Sequence, residues 1–137
     1  MEDTIFMKII RREIPAEIVY EDADTLAFLD IRPTNPGHTL VVPKKPFRNI
    51  FDIDDETLAA VMRTVRKVAK AVNEAVGAEG MNITTNNKAA AGQIVFHYHV
   101  HIIPRFMNDG YRLWPGKPYP TDTAAKEVAD KIRHVLA

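Results

Sequence analysis

The 137-residue sequence contains no cysteine, and this absence excludes several kinds of site. Disulfide bridges, thiolate metal sites and cysteine nucleophiles all require that side chain. The lack of cysteine is also compatible with a reducing compartment, so we expect a cytoplasmic protein.

An excess of charge of one sign is also missing, since 18 Lys and Arg residues balance 18 Asp and Glu residues. Composition therefore gives no support for binding to nucleic acid or to an anionic membrane, and we expect neither partner. No segment approaches the ~20 apolar residues of a membrane-spanning helix. The first four residues begin acidic and lack an apolar run, which argues against a secretory signal. With 46% hydrophobic residues, the sequence is typical of one globular domain over residues 1–137.

Hydrophobic periodicity predicts short strands and three helices. Apolar residues at helical spacing over 4–11 indicate a short amphipathic helix with Thr4 as its N-cap. The clearest helix is 55–76, where Asp54 can cap the start and Gly77 suits the left-handed residue after the last turn. Strands are predicted at 17–20, 25–31, 38–42, 81–85 and 94–103, with an irregular segment at 106–122 and a final helix at Ala124–Leu136.

The helix 55–76 carries one continuous apolar stripe. Such a stripe could form a coiled coil, but between strands it is more typical of a helix that packs on a sheet. The stripe consists of Leu58, Met62, Val65, Ala69, Val72 and Val76.

Three of the five histidines alternate along the predicted strand 94–103. Successive side chains of a strand point to opposite faces, so His97, His99 and His101 share one face. A single histidine in a strand is usually a half-buried structural residue, but three in strict alternation indicate a functional site. The opposite, apolar face is the expected core face, and it carries Phe96, Tyr98, Val100 and Ile102.

Two kinds of site suit such a row of histidines. Neutral imidazole is a common metal ligand, but same-face residues lie about 6.6–6.8 Å apart, so the outer pair spans roughly 13 Å and converges poorly on one ion. A metal held by two of them with His38 is the minority interpretation. The favoured interpretation is a phosphoryl-transfer site, in which one imidazole attacks phosphorus and another stabilises an oxygen or protonates the leaving group. Neither a metal nor another cofactor is then required.

Further polar residues flank this strand or end another one. Gly92 lets backbone approach an anion and Gln93 offers amide donors, although this loop matches neither the P-loop nor the dinucleotide fingerprint. His38 is either structural or a partner that fixes a histidine tautomer. Asp30, at the end of an apolar run, is either a strand-ending cap or a ligand for sugar hydroxyls, and the residues alone favour the cap.

With these motifs in place, the sequence resembles the histidine triad (HIT) superfamily. Residues 97–103 match its signature His-φ-His-φ-His-φ-φ, where φ is apolar, at every position. The similarity covers a core at 4–105 and is greatest to the Hint-like branch, whose members hydrolyse adenosine phosphoramidates and related nucleoside monophosphate conjugates. Its other matching motifs lie at 8–10, 13–16, 27–31, 36–45 and 91–93.

The resemblance implies an α+β fold. Its features are a mainly antiparallel five-stranded sheet, one long helix and short terminal helices. Members usually form a two-fold dimer, so we expect a homodimer with the helix 55–76 as a candidate interface element.

The resemblance also implies a role for each matching residue. His99 would attack the α-phosphorus and carry the nucleotidyl group, and His101 would contact the phosphate and the leaving group. His97 and His38 would orient and polarise the row, and Asp30 would bind the ribose hydroxyls. Phosphate would be contacted by Gln93, Gly92 and Asn86, and the base by Phe6, Ile9, Phe28 and Ile31. For Phe6 and Ile9 the alternative is the core face of an amphipathic helix.

Three places depart from the family pattern. Some bacterial relatives bind zinc through a Cys-x-x-Cys pair and a histidine, but here these places hold Thr4, Met7 and Pro46, so we expect no metal. Relatives often carry Ser or Thr after the glutamine, where this chain has Ile94 and so no hydroxyl for a leaving group. Residues 106–137 match weakly and form a C-terminal extension.

The leading hypothesis is a hydrolase of purine nucleoside phosphoramidates or other nucleoside monophosphate conjugates that acts through a nucleotidyl-histidine intermediate. A dinucleoside polyphosphate hydrolase or a nucleotidyl transferase would use the same residues. A nucleotide-binding scaffold with little turnover is the alternative from another class.

Overall fold

The computed structural model describes residues 3–137, which form three α-helices and a five-stranded sheet. Met1 and Glu2 lie outside the described residues. The expectation that the chain does not begin with a secretory signal rests in part on these two residues. The helices are α1 (Ile5–Ile10), α2 (Asp55–Val76) and α3 (Ala124–Leu136). The strands are β1 (Ile18–Glu21), β2 (Thr25–Leu29), β3 (Thr39–Pro43), β4 (Gly80–Thr84) and β5 (Val100–Arg105).

The sheet has the order β1-β2-β3-β5-β4, and every neighbouring pair is antiparallel. The predicted α+β class with an antiparallel five-stranded sheet is therefore confirmed. The register of this sheet assembles the site: Leu29 pairs with Thr39, and Leu40 pairs with His101. Asp30, just after β2, thus lies beside His38, just before β3, and His38 lies diagonally next to His101.

Two apolar clusters cover the two faces of the sheet. One packs α2 against residues of β2, β3 and β5, including Ala27, Val41, Val100 and Ile102. The other packs α1 against the opposite face of β2 and β3 through Phe6, Ile9, Leu26, Phe28, Leu40 and Val42. The alternation of the strand residues between the two clusters is the expected consequence of the two-residue repeat of a strand.

The predicted strand 94–103 is wrong over its first half, because β5 begins only at Val100. Only one of the three alternating histidines therefore lies in a strand. The physical reason is that the neighbouring strand ends at Pro43, which has no N–H to continue the ladder. The amide of Tyr98 instead donates to the carbonyl of Phe47 at 2.6 Å. Of the expected core face, Tyr98, Val100 and Ile102 are buried as predicted, but Phe96 is 38% exposed.

The three helices lie where the sequence predicts them. Thr4 caps α1 by accepting from the amide of Met7, and Asp54 caps α2 by accepting from the amide of Thr57 at 2.7 Å. Gly77 ends α2 with φ +64°. Within residues 3–137 no helix combines the length and the apolar character that crossing a membrane requires.

The packing of α2 on the sheet is confirmed, but its buried stripe is rotated from the predicted one. Met62 is 43% exposed, whereas the neighbouring Val61 is fully buried. Spacing alone cannot decide between stripes that differ by one residue. The buried side chains of α2 are Val61, Thr64, Val65, Val68 and Val72.

Candidate active site

A pocket of about 540 Å³ lies between α1, the ends of β2 and β5, and the loop before β5. Its walls are mainly apolar, with a few polar groups at one side. Nine residues expected in the site line it: Phe6, Ile9, Phe28, Asp30, Ile31, Asn86, Gly92, His99 and His101. The sequence did not single out several other lining residues, among them Ile14, Pro15, Ala16 and Leu40.

A second pocket of about 540 Å³ adjoins the first, and the two share His101 and Asn86. His38 lines this second pocket together with Thr34 and, from the C-terminal extension, Trp114. A ligand that reaches from one pocket to the other therefore has to pass His101.

His99 is held in one tautomer by the backbone. Its Nδ1 lies 2.7 Å from the carbonyl oxygen of His97, an acceptor that requires a proton on Nδ1. The neutral ring then has its lone pair on Nε2, which makes no hydrogen bond within residues 3–137. The ring is 7% exposed and packs edge-on against Phe6, with 4.9 Å between ring centroids. His99 thus presents a positioned, unprotonated nitrogen at the pocket wall.

A second backbone contact fixes the proton on His38. The amide of Thr34 donates to His38 Nδ1 at 3.0 Å, so the proton of the neutral ring is on Nε2. That Nε2 lies 2.9 Å from His101 Nδ1 and donates to it. His101 must therefore carry its own proton on Nε2, and its ring, which offers this N–H donor, lies 5.0 Å from the ring of His99 between centroids.

His97 is fully buried and anchors the start of the row. Its Nε2 donates to the carbonyl of Pro43 at 2.7 Å. Its Nδ1 is buried and has no hydrogen-bond partner among the described residues, which is compatible with a neutral ring that accepts nothing there. His97 does not line either pocket, so its contribution is the carbonyl that orients His99.

Burial lowers the pKa of all four histidines below the ordinary value of 6.5. For His101, burial and the neighbouring rings of His99 and His38 lower the pKa to about 4, against the opposing charge of Asp30. For His99, burial outweighs its bond to a carbonyl and the charge of Asp30, both of which favour the protonated form. The row is therefore neutral at pH 7, as a nucleophile requires.

Asp30 makes a local turn contact and also lines the first pocket. One carboxylate oxygen accepts from the amide of Arg32 at 2.9 Å, which is a local turn cap. The other lies 3.7 Å from His38 Nε2, and the residue lines the first pocket. One oxygen therefore remains available to a ligand.

The structure does not bring Gln93 into either pocket. Its amide nitrogen donates to the carbonyls of Arg48 at 2.6 Å and Val95 at 3.1 Å, and its oxygen accepts from the amide of Lys88. The side chain is buried, so it anchors the loop that carries Gly92. Gly92 has φ +90° and stands close to Asn86, whose amide nitrogen would lie 3.8 Å from a Cβ at this position.

Asp30, His38 and His101 could in principle share a metal ion, because their ligand atoms all lie within 4.8 Å of one another. The hydrogen bonds do not suit this use. Nδ1 of His38 accepts a hydrogen bond from the amide of Thr34, so the proton of the neutral ring is on Nε2. A metal at Nε2 would require loss of that proton or of the amide contact. We therefore assign no step to a metal.

Several residues that shape the site carry no signal in the sequence. Thr34 acts only through its backbone amide, and Thr85 acts through a hydroxyl that donates to the carbonyl of His99 at 2.7 Å. The rigid Pro-Thr-Asn-Pro-Gly loop at 33–37 was the one hint that this segment needs a fixed conformation.

Comparisons with known proteins show the family to which this chain belongs. The HIT domain family matches residues 11–108. An uncharacterised HIT-like protein of Methanocaldococcus jannaschii is 50% identical over 106 residues, covering 77% of this chain and 81% of that protein. The adenosine 5′-monophosphoramidase of Schizosaccharomyces pombe is 41% identical over 135 residues, covering 94% of this chain and 98% of that enzyme. A crystal structure from Streptococcus mutans has a TM-score of 0.94 at 40% identity and covers 100% of this chain and 87% of its own. The chain belongs to the HIT domain family.

Proposed function

We propose that this protein hydrolyses purine nucleoside phosphoramidates and related nucleoside monophosphate conjugates through a nucleotidyl intermediate on His99. The observation that carries the proposal is the bond from His99 Nδ1 to the carbonyl of His97, which leaves the Nε2 lone pair free at the pocket wall. Family membership and the adenosine 5′-monophosphoramidase among the relatives support a purine nucleotide as the substrate.

The two pockets suggest how such a substrate would lie. The base would occupy the apolar part of the first pocket against Phe6, Ile9 and Phe28, and the free oxygen of Asp30 would accept from the ribose hydroxyls. Gly92, Asn86 and the histidines would surround the α-phosphate where the pockets meet. Ile31 is 86% exposed and would cover the base only at the mouth of the pocket. The leaving group would enter the second pocket.

In the first step, the lone pair of His99 Nε2 would form a bond to the α-phosphorus while the bond from phosphorus to the leaving nitrogen breaks. The departing nitrogen would take a proton from solvent through the second pocket and leave as the amine. The carbonyl of His97 would stabilise the positive charge on the nucleotidyl-imidazole through the Nδ1–H bond. The Nε2–H of His101 would donate to a phosphate oxygen.

In the second step, a water molecule would attack the phosphorus. The bond from phosphorus to His99 Nε2 would break, the nucleoside monophosphate would leave, and one proton would pass to solvent. His99 would return to the neutral tautomer from which it began. Splitting one displacement into two avoids a direct attack by water on a poor electrophile.

A second candidate is hydrolysis of dinucleoside polyphosphates. The specific observation in its favour is that the pocket beyond His101 is as large as the first, at about 540 Å³ each. A nucleotide leaving group is larger than a simple amine and would fill such a space. Ile94, which stands where relatives often carry a hydroxyl residue, can donate no hydrogen bond to a leaving amine.

The test is AMP release from adenosine 5′-phosphoramidate and from a diadenosine polyphosphate, measured in excess chelator. We expect rapid release by the wild type and none by His99→Ala. His134→Ala is the matched control, because His134 is an exposed histidine of α3. Absence of release by a folded wild type that binds AMP would refute the hydrolase proposal and favour a nucleotide-binding scaffold. Release of AMP from the diadenosine polyphosphate alone would select the second candidate.

We also propose a two-fold homodimer. In support, α3 leaves Val128, Ile132 and Val135 exposed by 44%, 54% and 83%, and β4 is an edge strand. Apolar surface and a free strand edge are both features that a second copy can cover. Sedimentation velocity should give twice the chain mass, and a monomer at all concentrations would refute this assembly.

A further inference from the structure

The side chain of Asn35 makes two hydrogen bonds to residues that are far from it in the sequence. Its amide nitrogen donates to the carbonyl of Pro104 in β5 at 2.9 Å and to a carboxylate oxygen of Asp109 at 3.0 Å. Pro104 is among the fully buried residues of the chain. These bonds tie the loop 33–37, which enters β3, to the end of β5.

Asp109 is itself held rigidly. Its side chain is 7% exposed. Its carboxylate accepts hydrogen bonds from Nε and Nη2 of Arg105, at 2.8 and 2.9 Å. The amides of Phe106 and Tyr111 also donate to it. Such bidentate, charge-assisted contacts fix both position and orientation, so Asp109 is a firm acceptor for Asn35.

Asn35 controls the backbone around His38 directly. Its carbonyl accepts from the amide of His38 at 3.0 Å, and the preceding amide, that of Thr34, donates to His38 Nδ1 at 3.0 Å. Asn35 is thus bonded to β5, to Asp109 and to His38 at once. Movement of Asn35 would carry the amide of Thr34 away from the imidazole.

We propose that Asn35 and Asp109 are positioning residues that hold the amide of Thr34 on His38 and thereby fix the tautomers of both His38 and His101. The two neutral tautomers of a free imidazole are both accessible, so a partner has to select one. With the amide in place, His38 donates through Nε2 and His101 keeps its proton on Nε2, facing the site. Without it, His38 can place its proton on Nδ1, and His101 then turns its proton towards His38 and loses its donor on Nε2.

Other groups around His38 do not impose this choice. The carboxylate of Asp30 lies 3.7 Å from Nε2, beyond hydrogen-bond distance, and acts on the ring only through its charge. His101 Nδ1 can either accept or donate, because its other nitrogen adapts. The amide of Thr34 is the one contact of these three that can only donate, and it therefore sets the tautomers of His38 and His101.

The direct test is the ¹⁵N spectrum of the imidazoles in labelled protein near pH 8, where chemical shifts and ring couplings distinguish the two tautomers. We expect His38 and His101 of the wild type to carry their protons on Nε2. In Asn35→Ala we expect both rings to become mixtures of the two tautomers. Asn35→Ser is a milder variant, whose shorter side chain does not reach Asp109, and it serves if the alanine variant does not fold.

The matched control is Asn82→Ala. Asn82 accepts from Arg105 at 2.8 Å and so belongs to the same polar group, but it has no bond to the loop 33–37. We expect its histidine tautomers to equal those of the wild type. The proposal is overturned if wild-type His38 carries its proton on Nδ1. It is also overturned if a folded Asn35 variant keeps the wild-type tautomers, or if Asn82→Ala changes them equally.

The catalytic consequence rests on the proposed function, whereas the ¹⁵N measurement needs no substrate. If the protein is a phosphoramidate hydrolase, we expect Asn35→Ala to lower kcat by about 10-fold with little change in KM, as loss of an orienting partner does. Unchanged tautomers would overturn the inference even if the hydrolase activity holds. Absence of any hydrolysis by the wild type would count against the proposed function alone.

Discussion

At the scale of single residues, backbone groups decide which histidine nitrogen can react. The carbonyl of His97 accepts a hydrogen bond from Nδ1 of His99. The amide of Thr34 donates a hydrogen bond to Nδ1 of His38. Neither partner is a side chain, so shortening the side chain at either position leaves the contacting group in place. The histidine row is therefore oriented by how the chain turns before β3 and before β5, more than by any single acid or base.

The pH dependence of activity follows from the neutral state of these rings. Because burial lowers the pKa of His99 and of His101 below 6.5, both imidazole rings are mainly neutral at pH 7. We expect the acid limb of kcat/KM for adenosine phosphoramidate to be centred below pH 6.5, because His99 loses its free lone pair when it takes up a proton. An acid limb centred at or above pH 7 would contradict this account.

At the scale of elements, the residues that α2 buries differ in part from those that apolar spacing predicts to be buried. Val61 is fully buried in the cluster that packs α2 on the sheet, while Met62, which apolar spacing alone placed in the stripe, is 43% exposed. We expect Val61→Ala to lower the free energy of unfolding by about 2 kcal/mol, through lost burial and a residual cavity.

The neighbouring substitution provides the control for this prediction. Met62→Ala should change the unfolding free energy by less than about 0.5 kcal/mol, since it removes a mostly exposed side chain from the same helix. Urea denaturation of both variants measures the difference. A larger loss for Met62→Ala than for Val61→Ala would mean that the buried stripe lies where spacing predicted it.

Most elements could be predicted because their signals are local. Caps, a left-handed glycine and apolar periodicity located all three helices, and turn residues located four strands to within two residues at either end. The segment 94–99 could not be predicted, because it bends at 95–97 and its contacts with Pro43 and Phe47 form no ladder. That outcome depends on which chain segments meet, which periodicity does not encode.

The site was predictable to the extent that it follows from residue type. Alternation and the family resemblance located the histidines and most of the pocket lining, but Gln93 turned out to bond three backbone groups of the loop. Asn35 and Asp109 were not singled out, since 74 residues separate them and neither belongs to a recognisable pattern. Long-range polar contacts of this kind appear only when the fold is known.

At the scale of the whole molecule, the C-terminal extension divides into a part that meets the site and a part that does not. The segment through Trp114 lines the second pocket, whereas none of the thirteen residues of α3, all within the described part of the chain, is buried. A helix that buries nothing in the monomer contributes little to its stability.

We therefore expect a chain truncated after residue 122 to keep the unfolding free energy of the full chain to within about 0.5 kcal/mol at low protein concentration. The proposed dimer should weaken, because the exposed face of α3 is lost. Denaturation and sedimentation of the truncated chain test the two statements separately. A loss of more than about 1 kcal/mol at low concentration would show that α3 packs on its own domain.

In the proposed mechanism, the two pockets that share His101 would hold the nucleoside on one side and the leaving group on the other. Between them stands His99, whose attack on phosphorus is the central claim. A mechanism with a nucleotidyl-histidine intermediate contains two displacements at phosphorus, and each in-line displacement inverts the configuration there. A direct attack by water contains only one.

The measurement that tests this claim most directly is the stereochemical course at phosphorus. An adenosine phosphoramidate made chiral by one α-phosphorothioate sulfur is hydrolysed in ¹⁸O-labelled water, and the configuration of the product is determined. We expect net retention, since two inversions cancel. Net inversion would show a single displacement and would contradict the role assigned to His99.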